Sequence, residues 1–370
     1  MTKSYTKNQQ IDFVLLSTIL LLVAIGVIMV YSASSYIALY RYKNDMYFLQ
    51  RQGFFAIIGF VFMIIISRID YHFIKKNTGK IMIVSIGLLL IVLLPIFPAI
   101  NGARRWILIG PLSIQPSEIA KYVVVLYMAK SISNKGSKIR SFTYGVIPYL
   151  IVSGLFASLV LAEKNLSIAA VIMIVTLIVL FAAGCKIGHI SLVLLLIGAA
   201  GGAATYFEPY RMKRFMTFLN PWADPRGDGY QLIQSLLALG SGSLLGTGLG
   251  LSRQKCYYIP EPHNDFIFAI IGEELGLVGC LFIIALFILF IARGISIAMK
   301  SPDVYGTMLA IGITAIIAIQ AIINIAVVTG SMPVTGVPLP FISYGGSSLV
   351  INLSAMGILL NISKHTKKRI

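Results

Sequence analysis

The sequence predicts an all-α fold, a polytopic membrane helix bundle of about ten transmembrane helices with a large extracytoplasmic loop between the seventh and eighth. Composition is the first reason. Of the 370 residues 58% are hydrophobic and 12% charged, with a mean hydropathy of +0.89, whereas soluble domains carry about a quarter charged residues. Spacing is the second. Crossing a hydrocarbon core of roughly 30 Å takes about 20 apolar residues, and such segments recur near 11–33, 53–67, 80–97, 116–133, 143–161, 166–184, 189–206, 265–293, 305–329 and 343–362. No separate soluble domain is left over, so residues 1–370 read as a single integral membrane domain.

The first segment follows Lys3 and Lys7 but runs past the length of a signal-peptide core and lacks a small-residue cleavage site, so it is expected to stay in the mature protein. Orientation follows from Lys and Arg, which gather in short cytoplasmic loops. With an even number of spans, Lys3, Lys7, Arg68, Lys75, Lys76, Lys80, Lys130, Lys135, Lys138, Arg140, Lys186, Arg293, Lys300 and the tail Lys364, Lys367, Lys368 and Arg369 fall on one side, with both termini. That side is predicted to be the cytoplasm. The loop at 207–264 then lies outside.

The formal charge of +17 is dispersed over loop ends rather than gathered on one face, which argues against a nucleic-acid partner; topology and anionic lipid account for it. Cys185, Cys256 and Cys280 show neither metal spacing nor a disulfide pattern.

The loop at 98–117 carries Arg104 and Arg105 among Gly and Pro turn signals, and Ser117 caps the next span, where Glu118 meets the positive end of the helix dipole. Lys121 follows three residues on, on the same helix face. A Glu and a Lys inside hydrocarbon must neutralise each other or meet a substrate, and both readings stand. The loop at 207–264 is far longer than a connection needs. It opens on Arg211, Lys213 and Arg214 and later reads Gly-Ser-Gly-Ser-Leu-Leu-Gly-Thr-Gly-Leu-Gly at 240–250. These glycines lack the GxGxxG spacing and the βαβ setting of a dinucleotide site. A re-entrant or interfacial segment, with backbone packed on protein or lining a cavity, fits better.

Asp265 stands where that loop enters an apolar helix about thirty residues long, and a carboxylate there is costly unless it has a partner or a task. It is the predicted centre of the chemistry. Glu273 and Glu274 lie roughly 12 to 13 Å deeper at 1.5 Å per residue; they read as structural hydrogen-bonding groups of a polar interior. The last outer loop, 330–348, is uncharged, and its prolines and glycines rule out a continuous helix.

Five blocks together resemble the SEDS family of shape, elongation, division and sporulation proteins, which includes FtsW, RodA and SpoVE. They are Asn-Gly-Ala-Arg-Arg-Trp-Ile at 101–107, Gln-Pro-Ser-Glu-Ile-Ala-Lys at 115–121, Gly-Tyr-Gln-Leu-Ile-Gln-Ser at 229–235, His263 to Gly276, and Pro333 to Ser348. The run Asn-Pro-Trp-Ala-Asp-Pro at 220–225 is more similar to the division and sporulation branch than to the RodA branch.

The resemblance implies a peptidoglycan glycosyltransferase that joins lipid II to a glycan chain held by undecaprenyl pyrophosphate, on the outer face of the bacterial cytoplasmic membrane. It implies an essential acid at Asp265, in keeping with a general base for the acceptor 4-hydroxyl while pyrophosphate leaves from the opposite face and the anomeric centre inverts. Candidates to bind the pyrophosphate are Arg104, Arg105, Lys121, Arg211, Arg214 and Lys255, since it calls for cationic donors; Glu118 and His263 complete the candidate substrate-binding residues. Ser343 joins Glu273 and Glu274 in the polar interior. A magnesium or manganese ion would suit pyrophosphate, though no dedicated ligand cage is visible in the sequence. The implied partners are a class B penicillin-binding protein, whose transpeptidase crosslinks the strands, and the proteins of the divisome or sporulation septum. One departure stands out. Where many members carry an acid at the junction of the fifth and sixth spans, this chain has Asn165, with Glu163 two residues before it; either Glu163 substitutes for that acid or the position is structural. Two rival readings are a lipid II transporter and a non-catalytic scaffold for the penicillin-binding protein.

Overall fold

Asp12 starts the first helix by accepting a hydrogen bond from the Leu15 amide at 2.9 Å, the usual work of an N-capping carboxylate. Helix α1 (Phe13–Tyr42) is followed by α2 (Tyr47–Arg68) and α3 (Tyr71–Val92). A two-stranded antiparallel hairpin, β1 (Ile107–Ile109) and β2 (Leu112–Ile114), precedes α4 (Pro116–Lys135). Then come the short α5 (Phe142–Gly145), α6 (Ile147–Ala162), α7 (Leu166–Ala182) and α8 (Ile187–Tyr206). The long loop contains α9 (Pro209–Leu219) and α10 (Tyr230–Ser241), and the chain ends with α11 (Ile267–Lys300), α12 (Val304–Val328) and α13 (Gly346–Lys364). This computed structural model describes residues 10–99, 102–110, 112–256 and 258–366.

Among the described residues, six stretches are long and apolar enough to cross a membrane: Phe13–Tyr42, Tyr47–Arg68, Phe142–Ala162, Ile267–Lys300, Val304–Val328 and Gly346–Lys364. Their inward faces form one continuous apolar core. Their outward faces are apolar too, with Phe54 57%, Ile57 67% and Ile288 61% exposed, as lipid-facing helices require. The core is built where α13 packs on α2, α4 on α3 and α12, and α11 on α12, α1 and α10.

Two expected boundaries move. The sequence places the second and third segments at 53–67 and 80–97, but their helices span 47–68 and 71–92, with a turn of two residues between them. Lys75, Lys76 and Lys80 therefore sit on α3 rather than in a loop, because long aliphatic stems let lysines occupy a helix end near the interface. Asp70 caps α3 by accepting from the His72 amide.

The third change is a break. The sequence reads 265–293 as one helix, but α11 is interrupted at Gly276, with φ 67° and ψ −167°. Two intrahelical bonds are lost there, and the glycine-rich segment of the long loop replaces both. Leu277 N donates to Ser243 O at 3.0 Å and Val278 N to Leu244 O at 3.2 Å. Thr247 N in turn donates to Glu273 O at 2.9 Å and Gly248 N to Glu274 O at 3.1 Å. Backbone groups deep in a bundle must be satisfied internally. Glycine is required for the close approach: a Cβ on Gly246 would stand 2.1 Å from Glu274 O.

The start of α1 meets the end of α13. The Asp12 amide donates to Ser363 Oγ at 3.1 Å, and Arg293 binds the Asp12 carboxylate through Nε and Nη2. The start of α1, the end of α13 and the C-terminal part of α11 thus share one end of the bundle. Asp265 lies at the other, where Arg41 near the end of α1 pairs with Glu261 at 3.1 Å and Phe48 at the start of α2 stacks on His263.

Candidate active site

Asp265 precedes α11 by two residues, and its main chain is fixed from three sides. Asn324 of α12 donates from Nδ2 to Asp265 O and to Val337 O, both at 2.7 Å. Ser343 donates to Asn264 O at 2.8 Å while accepting from Leu339 N at 2.8 Å, and Tyr344 N donates to His263 O at 2.9 Å. The loop between α12 and α13 is thereby tied along 263–265.

The side chain is held differently. It is half-buried, and among the described residues no hydrogen-bond donor reaches its carboxylate. Gly336 lies against it: a Cβ there would stand 3.2 Å from Oδ2, and its φ of +72° is one that L side chains rarely adopt. Arg214 of α9 and Arg105 before the hairpin supply positive field. Burial raises the Asp265 acid to about 6, while Arg214 and then Arg105 hold it from rising further.

Those arginines are placed by main-chain carbonyls. Arg214 Nη1 donates to Val334 O at 3.0 Å; Arg105 Nε donates to Glu163 O at 3.1 Å, and its Nη2 to Lys164 O. Ser167 on α7 donates to Thr335 O. Three segments therefore surround the carboxylate, namely the hairpin approach with Arg105, α9 with Arg214 and the loop after α12 with Gly336, and the α6–α7 turn holds Arg105 in place.

Glu163 on the α6–α7 turn is 1% exposed, and neither carboxylate oxygen has a hydrogen-bond partner. Burial pushes its acid up to about 8, with Ser117 and Arg105 as the lowering influences. Asn165 caps α7, accepting from Ile168 N at 3.3 Å. The position where the resemblance implies an acid is thus a helix cap here, and the nearby carboxyl belongs to Glu163.

Several expected site residues sit elsewhere. Lys255 was a candidate for the leaving group, but its ammonium is committed: it pairs with Glu274 at 2.9 Å and donates to Gly250 O at 2.6 Å and Ser32 Oγ at 3.3 Å. Three donors meet three acceptors inside the protein. Glu273 and Glu274 belong to the same network. Glu273 accepts from Ser252 Oγ, from Arg253 N at 2.9 Å and from Gln254 N at 3.3 Å, and Glu274 accepts from Ser32 Oγ and Ser252 N. They clamp the returning loop, as a structural role requires.

His263 was a candidate for contact with substrate. It is buried between Phe48 and Tyr344, with ring centroids 4.3 and 5.5 Å away, and burial lowers its imidazole to about 4. It packs as a neutral ring under the 263–265 backbone. Glu118 and Lys121 form a closed pair at 2.7 Å, with side chains 3% and 0% exposed. Lys121 also donates to Gln320 Oε1 at 2.8 Å, and Ser348 donates to Glu118 at 3.0 Å. Gln320 and Ser348, with Ser343 and Asn352, line a cavity of about 20 Å³, room for about one water. The pair therefore neutralises itself, and two of its partners, Gln320 and Ser348, reach a small cavity of mixed lining. Arg104 is exposed and donates to Phe97 O at 3.3 Å. Arg211 is on α9, and its side chain lies outside the described residues, as does Asn101 of the first block.

Asn324, Gln320 and Gly336 were not singled out from the sequence. Gln320 and Asn324 had a signal: two amides four residues apart in an otherwise apolar 25-residue helix share one face and need partners. Gly336 carried none beyond a turn.

Among the described residues, no group of three or more His, Cys, Asp or Glu side chains could hold a metal ion. The donor set at Asp265, one carboxylate with two guanidinium groups nearby, does not fit a resident divalent cation.

A polytopic helical membrane protein with one arginine-flanked carboxylate at a bundle end is the class that fold and site define. Residues 12–368 match the FtsW, RodA and SpoVE cell cycle protein family, and the chain belongs to that family. It is 45% identical to stage V sporulation protein E of Bacillus subtilis, covering 98% of this chain and 99% of that one. It is 41% identical to a probable peptidoglycan glycosyltransferase FtsW of a Geobacter strain, covering 96% and 97%. Among solved structures it superposes with a TM-score of 0.79, at 28% identity and 95% and 97% coverage, on a chain described under structural coordination of polymerization and crosslinking by a peptidoglycan synthase complex. The rod shape determining protein RodA of Thermus thermophilus gives a TM-score of 0.71 at 25% identity, covering 95% and 96%.

Proposed function

We propose that the chain polymerises lipid II into glycan strands, with Asp265 as general base. Peptidoglycan glycosyltransferase activity follows from near-full-length relatives of that name at 41% identity. The catalytic assignment is carried by one observation: Asp265 is a half-buried carboxylate that no described donor caps, with Arg214 and Arg105 as its nearby charges. A base must be ionised near the working pH yet retain proton affinity, and an acid raised to about 6 meets both demands.

The chemistry runs as an inverting displacement. The acceptor 4-hydroxyl of lipid II attacks the anomeric carbon of the chain-bearing donor, and Asp265 accepts the hydroxyl proton. The C–O bond to undecaprenyl pyrophosphate breaks on the opposite face, and the charge on the leaving oxygen meets Arg105 and Arg214. Fixing the 263–265 carbonyls keeps the base in register with these donors, since positioning contributes much of a coupling rate.

The proposed topology has ten membrane crossings, both termini cytoplasmic and Asp265 outside, supported by the Lys and Arg distribution and by the placement of Asp12 and Ser363 at the end opposite Asp265. A class B penicillin-binding protein is the proposed partner within the divisome or sporulation septum, supported by the likeness to a chain of a synthase complex that polymerises and crosslinks. Transport of lipid II is disfavoured by the closed Glu118–Lys121 pair, which is neutralised inside the bundle rather than set along a path across it.

Purified protein with that partner and labelled lipid II in detergent, where flipping has no meaning, tests the reading. Glycan ladders are expected from the unaltered chain and none from Asp265→Asn. Ladders from the variant would refute it.

A further inference from the structure

Glu163 is a buried acid whose oxygens have no hydrogen-bond partner, yet the carbonyls of Glu163 and Lys164 hold Arg105. An orphan carboxyl is costly to bury, and its own backbone places the guanidinium that also acts on Asp265. We propose that Glu163 is a positioning residue for Arg105: as a neutral acid it leaves the guanidinium's charge directed at Asp265 and the substrate pyrophosphate, and as an anion it draws that charge onto the α6–α7 turn. This rests on the reading of Asp265 as the base.

The surroundings support it. Ser117 from α4 and Arg105 from the hairpin approach face the carboxyl. Lys164 adjoins it on the same turn. The Glu118–Lys121 pair next to Ser117 is internally neutral, and Asp265 and Arg214 lie across Arg105. Arg105 is thus the cation that an ionised Glu163 would recruit. Burial keeps the acid protonated up to about pH 8, so at neutral pH no anion on the turn competes for the charge of Arg105, whose Nε and Nη2 already rest on the turn's carbonyls. An anion here would compete with pyrophosphate for the same donors.

The test is the pH dependence of lipid II polymerisation by the full chain with its partner, for the unaltered protein and for Glu163→Gln, Glu163→Asp and Asp265→Asn. The unaltered chain should show a bell, rising near pH 6 and falling near pH 8. Glu163→Gln, which cannot ionise, should lose the alkaline fall and keep its plateau within about threefold, read as free energy of less than 1 kcal/mol, while Glu163→Asp should retain the fall. An alkaline limb that persists unchanged in Glu163→Gln, or its absence from the unaltered chain, overturns the inference. Activity in Asp265→Asn overturns instead the reading beneath it. Should Glu163→Gln fail to fold, the infrared carbonyl band of a protonated buried carboxyl in the unaltered chain, absent from Glu163→Asn, must vanish on titration through pH 8; a band unmoved at pH 9 overturns the inference.

Discussion

Asp265 and the pair Glu273 and Glu274 lie within ten residues on one stretch of chain, yet their surroundings differ in kind. Each deeper acid is saturated. Glu273 receives two amides and a hydroxyl, and Glu274 receives an ammonium, a hydroxyl and an amide. Asp265 has its carbonyl and those of the two residues before it tied by Asn324, Ser343 and Tyr344, and its carboxylate reached by no described donor, with two arginines acting through their fields. Position in the sequence does not separate these acids; the supply of donors does. A capped carboxylate holds a fold together, while an uncapped one beside cations keeps its lone pairs for an incoming proton.

The largest effect should come from breaking this contrast at Asp265. Asp265→Asn should lower polymerisation by on the order of 10²–10⁴-fold without lowering the melting temperature, since no described donor loses a partner. A loss of stability of several degrees would place Asp265 with the structural acids. In the unaltered chain the rate should climb as pH rises through about 6, because burial raises the acid and the ionised form is the active one. A rate already flat at pH 5 would contradict that assignment.

The deeper pair should respond in the opposite sense. Lys255→Met leaves Glu274 charged and buried, which costs about 3–5 kcal/mol and should appear as a lower melting temperature or poor recovery in detergent. Lys255→Met with Glu274→Leu removes both charges and should regain most of that loss. A double variant as unstable as the single one would show that the pair does more than neutralise charge.

The arginines sharpen the comparison further. Arg214→Lys keeps the charge but not the fork that reaches Val334 O, and lysine binds phosphate as a point charge. A fall of about tenfold in kcat/KM is expected, with the melting temperature nearly unchanged. Equal activity in the lysine variant would mean that Arg214 acts through charge alone.

Much of the bundle was legible: a helix overlies each predicted segment, and six helical stretches among the described residues are long and apolar enough to cross a membrane. Asp265 was legible as a charge at the mouth of such a segment. The partners were not. Lys255 and Glu274 are nineteen residues apart and meet only because the long loop turns back into the bundle. That return depends on the break at Gly276, and nothing in the sequence sets this glycine apart from Gly272 and Gly279 beside it. Arg105 and Arg214 could not be ranked above Arg104 or Lys255, because main-chain carbonyls choose among cations and a sequence does not show where carbonyls point. Glu163 reads in the sequence as a candidate stand-in for the acid missing at Asn165; its burial arises from packing between α4 and the α6–α7 turn.

The smallest effect tests the contrast at its most local. Gly336→Ala adds one methyl group 3.2 Å from Asp265 Oδ2, at a φ of +72°. The backbone conformation alone costs about 1 kcal/mol for a residue with a Cβ, so a modest fall in melting temperature is expected. The contact asks more of the carboxylate than of the fold: the side chain must turn away, and its distance to the acceptor hydroxyl changes with it. Because main-chain bonds from Asn324 and Ser343 hold 263–265 in place, the displacement should fall on the carboxylate, and kcat should drop by about tenfold with KM little altered. A variant that loses stability while keeping kcat would show that Gly336 serves only its turn and that the space over Asp265 is not used by substrate.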